Sequence, residues 1–160
     1  MKLTHVMSFL LLSLVSVFRS AEAREVVCNS ADLHPLPTGH ATVVLEAAVA
    51  SRYLLLAKGT ASQSAIVCTA ALNPLGPCPD EGVAGDKVSV ALLGATVGTI
   101  SVTASKAIPE NSQLYATAGG KVTDAVVTGA YWVGKSAPGS AALADGDILS
   151  MIPRFPRINP

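Results

Sequence analysis

Two stretches alternate apolar and polar residues with period two. Over residues 86–92, Val88, Val90 and Leu92 fall on one side and Lys87, Ser89 and Ala91 on the other. Over residues 99–104, Ile100, Val102 and Ala104 oppose Thr99, Ser101 and Thr103. Successive side chains of a strand point to opposite faces, so both stretches are predicted strands with one packed and one wet face. Shorter β-branched or continuously apolar runs at 42–45, 53–57, 65–69, 113–116, 121–123, 131–134 and 147–152 predict further strands. A short helix over residues 46–50 is the single helical expectation.

The connections read as turns. Gly94 to Gly98 links the two alternating strands as a hairpin, and Pro109-Glu110-Asn111 reads as a turn. Gly119-Gly120 separates two strand runs, and paired glycines supply the positive φ that tight turns require. Many short antiparallel strands with regular turns predict an all-β fold, a small barrel or sandwich.

The chain also resembles itself. Ala48 and Ala107, Gly76 and Gly134, and Asp86 and Asp147 stand in similar local contexts 59, 58 and 61 residues apart. Landmarks that drift so little predict two pseudo-repeated halves, each a run of short strands closing around a core. Such closure buries sheet edges that would otherwise invite pairing.

Composition sharpens this picture. Of 160 residues, 50% are hydrophobic but only 4% aromatic, so short Ala, Val, Leu and Ile side chains must fill the interior. Formal net charge is zero, with 14% charged residues scattered singly. That balance argues against direct nucleic-acid binding and is compatible with association with other proteins.

The N-terminus differs from the rest. Lys2 and His5 precede an apolar run over 6–18 and then Ala21-Glu22-Ala23, the layout of a secretory signal, too short to span a bilayer comfortably. The organisation that follows is a signal-like segment over 1–23 and an irregular arm over 24–40. A β-rich domain over 41–152 and an extended tail over 153–160 complete it. Cys28, Cys68 and Cys78 form an odd set: an exported chain can join Cys68 to Cys78, while the simpler expectation is small buried thiols.

No catalytic constellation is legible. The histidines are His5, His34 and His40, near the signal or the arm, and no G-x-S-x-G occurs. Ser64 and Ser105 read as turn or strand-edge serines, and a Cys28–His34 pair would sit on an irregular arm. Asp80-Glu81 and Asp145-Gly146-Asp147 pair carboxylates without the aromatic platforms of a carbohydrate cleft or the ligand count of a Ca²⁺ loop. They read as turn acids that accept backbone N–H groups. Residues 82–86 lack the Lys-Ser/Thr of a phosphate cradle. The expectation is a non-enzyme with no cofactor and no metal.

Interface candidates remain. Tyr131 and Trp132 are adjacent in a strand, so one faces the core and the other the surface. The C-terminal Ile152-Pro153-Arg154-Phe155-Pro156-Arg157-Ile158 carries prolines that exclude helix and central strand and so predict an extended arm. Trp132, Arg154, Phe155 and Arg157 are the candidates to touch a partner.

Several phrases in order resemble the tailed-phage head decoration, or capsid cement, proteins over residues 41–153. They are Ala50-Ser51-Arg52-Tyr53-Leu54-Leu55-Leu56 with Lys58-Gly59, and Pro74-Leu75-Gly76 leading to Gly85-Asp86-Lys87-Val88-Ser89-Val90. Then come Ala104-Ser105-Lys106-Ala107-Ile108, Leu114-Tyr115-Ala116-Thr117-Ala118-Gly119-Gly120-Lys121-Val122 and Ala144-Asp145-Gly146-Asp147-Ile148-Leu149. The resemblance implies a β-barrel-like virion protein that clamps onto the exterior of an assembled shell of major capsid protein in the host cytoplasm. It implies a homo-oligomer, with a trimer favoured, no active site, and no membrane association in the mature form. A signal-like start does not suit that setting. Either translation begins beyond it, or the chain is an exported or periplasmic β-barrel module that binds a small ligand or surface partner.

Overall fold

The computed structural model describes residues 39–160; the signal-like segment, Cys28, His5, His34 and nearly all of the 24–40 arm lie outside the described residues. Among the described residues the first barrel's strands are β1 (His40–Leu45), β2 (Leu54–Lys58), β3 (Ser64–Val67), β4 (Pro74–Cys78) and β5 (Lys87–Ala91). The second five are β6 (Ile100–Thr103), β7 (Gln113–Ala116), β8 (Val122–Thr123), β9 (Tyr131–Ser136) and β10 (Ile148–Ile158), with one 3-10 turn at Ala118–Gly120. The protein is all-β, as its alternating runs predict.

The strands form two five-stranded sheets, ordered β4-β2-β3-β1-β5 and β6-β10-β9-β7-β8. Each curls until its edges meet. Just past β5, the Leu93 N–H donates to the Leu75 carbonyl of β4 at 2.8 Å. In the second sheet Ala104, just past β6, bridges Val122 of β8, and the Ser105 N–H donates to the Val122 carbonyl at 2.9 Å. Closure joins backbone groups that an open sheet would leave exposed.

Adding five to each label of the first sheet reproduces the second. The parallel pair β1–β3, with Val44 opposite Ser64, matches the parallel Ala104–Val122 contact of β6 and β8. The antiparallel bridge Val49–Gly82 matches Ile108–Ala142. Leu45 N–H donates to the Asp86 carbonyl at 2.9 Å, as Ala104 N–H donates to Asp147 at 2.8 Å. The pseudo-repeat read in the sequence is therefore a repeat of topology and of individual hydrogen bonds. Its spacing explains two glycines. A Cβ on Gly76 would run into the Ala91 carbonyl oxygen, and one on Gly134 into that of Ile152. At both places a backbone lies where a side chain would go.

Two apolar clusters follow from the period-two alternation. Leu54 and Leu56 join Val43, Leu45, Val88 and Val90 inside the first barrel. Leu55 and Ala57, on the opposite face of the same strand, join a second cluster with Val102, Leu114, Val133, Leu149 and Met151 of the second barrel. One strand thus serves two packed interiors, which is why β2 is apolar without interruption from Leu54 to Ala57 and fully buried there.

Three expectations need correction. Residues 46–50 are not helical. Instead the Glu46 carboxylate oxygen Oε1 accepts from the Thr60 N–H (2.7 Å), the Thr60 hydroxyl, the Ala61 N–H (2.8 Å) and the Ser64 hydroxyl. That clamp holds the loop, and an extended bridge follows at Val49. Gly94 to Gly98 is not a hairpin turn, because β5 and β6 belong to different sheets; it is the crossing from one barrel to the other. Cys68 and Cys78, by contrast, are the small buried thiols of the simpler expectation: both are free and they belong to different clusters. Desolvation pushes the Cys68 thiol up to about 12 and raises Cys78 as well. Residues 153–158 are extended but not a loose tail: they are the outer half of β10, with Pro153 opposite Gly134 and Arg157 opposite Trp132. The prolines are tolerated because β6, the other neighbour, ends its pairing at Met151. From there the strand has one partner and needs fewer N–H donors.

Candidate interaction groove

The outer half of β10 and the strand beside it build a groove on the surface. In β7–β9 the pairing steps from Leu114–Gly134 to Tyr115–Trp132, so Val133 is an extra residue in β9. Such a bulge resets the alternation. Val133 is buried, while Trp132 and Lys135, even and odd in number, both reach one outer surface. Across from them, β10 takes four residues to pass from Pro153 to Arg157 while β9 takes two, and the slack leaves a depression.

The result is a groove of about 400 Å³ lined by Trp132, Lys135, Ile152, Arg154, Phe155 and Arg157. A second, shallower cleft of about 260 Å³ shares Trp132 and Arg157 and extends to Gln113 and Tyr115. All four candidates from the sequence thus sit around one feature. Lys135 and Ile152 were missed, because the bulge that brings Lys135 round is not visible in a hydropathy pattern. Tyr131 packs against the second cluster, so Trp132 is the surface member of the aromatic pair.

The groove is cationic. No carboxylate lines it, and Lys135, Arg154 and Arg157 make no ion pair among the described residues, whereas Arg52, Lys106 and Lys121 each face an aspartate. Phe155 is 68% exposed and is the aromatic among the exposed large apolar side chains of the described residues. One face of its ring lies over Gly94 of the inter-barrel crossing, where an added Cβ would approach to 2.5 Å. The shielded Trp132 Nε1–H has no acceptor among the described residues, and an unmade bond at a buried donor costs about 1–3 kcal/mol.

Several of the other candidate acids have structural partners. Asp147 accepts the N–H groups of Leu143 and Ala144 at 2.8 and 2.9 Å, and Asp86 accepts that of Val83 at 2.8 Å. Both are the turn acids their sequence context predicts, at equivalent places in the repeat. Asp145 pairs with Lys121 at 2.6 Å. His40 opens β1, away from both cysteines in sequence. No group of three or more His, Cys, Asp or Glu side chains among the described residues is placed to hold a metal ion.

Tandem closed five-stranded barrels bearing an arginine–aromatic groove define a small repeat β-protein. Its fold is similar to that of the N base of the head fiber gp8.5 of bacteriophage phi29, with a TM-score of 0.59 and 14% identity over 77% of this chain and 99% of that one. At that identity the likeness is one of fold. No family model matches the chain, and no curated protein matches it.

Proposed function

We propose that this protein is a structural component of a tailed-phage head that binds the outside of an assembled major capsid protein shell and stabilises it. The observation that carries the reading is the fold, which is similar over 77% of this chain to 99% of the N base of a phage head fiber. The ordered sequence phrases that resemble head decoration proteins support it independently of the coordinates. In this reading the chain performs no catalysis and acts as a homo-oligomer, with a trimer expected.

The physical basis is a stiff body with a contact face. Closure of both barrels and the shared interior at Leu55 and Ala57 hold the groove's walls in fixed relation. Little ordering entropy is then lost on binding. Each buried apolar Å² contributes about 25 cal/mol, and repetition around a shell makes modest contacts collectively strong. The test is to mix purified protein with undecorated heads and pellet the heads. Saturable co-sedimentation and increased resistance of the heads to heat or low ionic strength are expected. Protein remaining wholly in the supernatant would refute the proposal.

A further inference from the structure

We infer that the β9–β10 groove is the contact point for an acidic loop of the shell protein, one that presents carboxylates together with an apolar side chain. The inference rests on the proposed function and assigns the partner's chemistry at one site.

Charge complementarity is the first argument. Lys135, Arg154 and Arg157 converge on one depression with no acid in its lining and no ion pair of their own among the described residues. On a chain whose formal net charge is zero, three uncompensated cations on one surface are a local field, not a reflection of overall composition. Carboxylates neutralise that field, and the planar guanidinium groups of Arg154 and Arg157 suit bidentate pairing with them.

The apolar component comes from Phe155, Ile152 and Trp132. Phe155 lies against Gly94 and is exposed, so it presents apolar area to whatever fills the groove. The Trp132 indole lines the groove while its Nε1–H is shielded, so it contributes ring area rather than an accessible donor. Recognition runs through side chains rather than through an added strand. The outer half of β10 has a free edge, but Pro153 and Pro156 remove donors from it.

A polypeptide is favoured over a nucleic acid because the net charge supplies no long-range attraction for a polyanion.

Trp132 is the only tryptophan of the chain, so its fluorescence reads the groove directly. The full-length protein is titrated with a short synthetic peptide of aspartate and glutamate carrying one phenylalanine. Its asparagine/glutamine twin and a short oligothymidylate are the comparisons. A saturable change in Trp132 emission with the acidic peptide is expected, weakened about tenfold or more by Arg154→Glu with Arg157→Glu and by added salt. The arginines are exposed, and Arg154→Lys with Arg157→Lys should retain much of the binding. Equal response to the neutral twin, or a response to oligothymidylate alone, overturns the inference. Co-sedimentation separates the two levels. If wild type pellets with heads and the double Glu variant pellets equally well, the groove inference fails while the proposed function stands. If wild type does not pellet, the proposed function fails, and the titration still judges the groove.

Discussion

Gly76 is the position where barrel closure depends on a missing side chain. Gly76→Ala places a methyl group against the Ala91 carbonyl oxygen, at the point where β4 meets β5. The neighbouring contact is a backbone bond, Leu93 N–H to Leu75 carbonyl at 2.8 Å, so separating the strands to admit the methyl also stretches that bond. Overpacking of this kind costs about 1–3 kcal/mol, and loss of one hydrogen bond adds about 1 kcal/mol. The sum, roughly 2–4 kcal/mol, is a large part of the 5–15 kcal/mol that stabilises a typical domain. For a body of this size, a fall of about 10 °C in the unfolding midpoint is expected. The assay is urea and thermal unfolding followed by circular dichroism. Gly119→Ala serves as the control: its φ of +71° carries backbone strain, but nothing lies within 4 Å of the added methyl, so about 1–2 kcal/mol is expected. If Gly76→Ala is no more destabilising than Gly119→Ala, the closed-barrel reasoning is wrong.

Other outcomes follow from the same geometry. Gly134→Ala, the equivalent substitution in the second barrel, should destabilise by a similar amount, and a loss confined to one barrel in the urea transition would argue against the repeat. The carboxyl of Glu46 is held low, at about 2, by hydrogen bonds from Ser64 first and then from Ala61 and Thr60. Because its folded value is depressed from 4.5, the stabilisation is fully present above about pH 4.5 and disappears as pH falls toward 2. Glu46→Gln should therefore flatten the acid limb of the stability curve, and an unchanged limb in urea titrations would refute this. Cys68 and Cys78 should resist thiol reagents in the native state and label fully in urea without reductant. Mass spectrometry showing them unlabelled in urea would mean that they are bonded. Leu56→Ala, at a fully buried site, should cost about 2–5 kcal/mol. Val97→Ser, 88% exposed, should stay within about 0.5 kcal/mol by chemical denaturation.

Local pattern made much of this fold legible, and non-local pairing made the rest invisible. β5 and β6 announce themselves through Val88-Ser89-Val90 and Ile100-Ser101-Val102. β4 does not, because Pro74, Gly76 and Pro77 carry no strand signal, and only the fold shows Gly76 making room for Ala91. Gly94 to Gly98 reads as a hairpin because the sequence does not show that the chain leaves one barrel there for the other. Glu46 sits in an apolar run that reads as helix, and only the arrival of Thr60, Ala61 and Ser64 fixes it in a loop. The duplication was legible because its landmarks are backbone requirements: Gly76 and Gly134 under a carbonyl, Asp86 and Asp147 closing a turn. The four groove residues could be named singly from their types. Their convergence depends on a bulge at Val133 and irregular pairing after Pro153, and neither leaves a periodic trace.

The most direct measurement is an electron-microscopic reconstruction of phage heads incubated with the full-length protein. Density for two small barrels on the outer surface, with the Trp132–Arg154–Phe155–Arg157 face turned toward an acidic loop of the shell, is the expected result. Heads that remain bare at saturating protein would contradict the account.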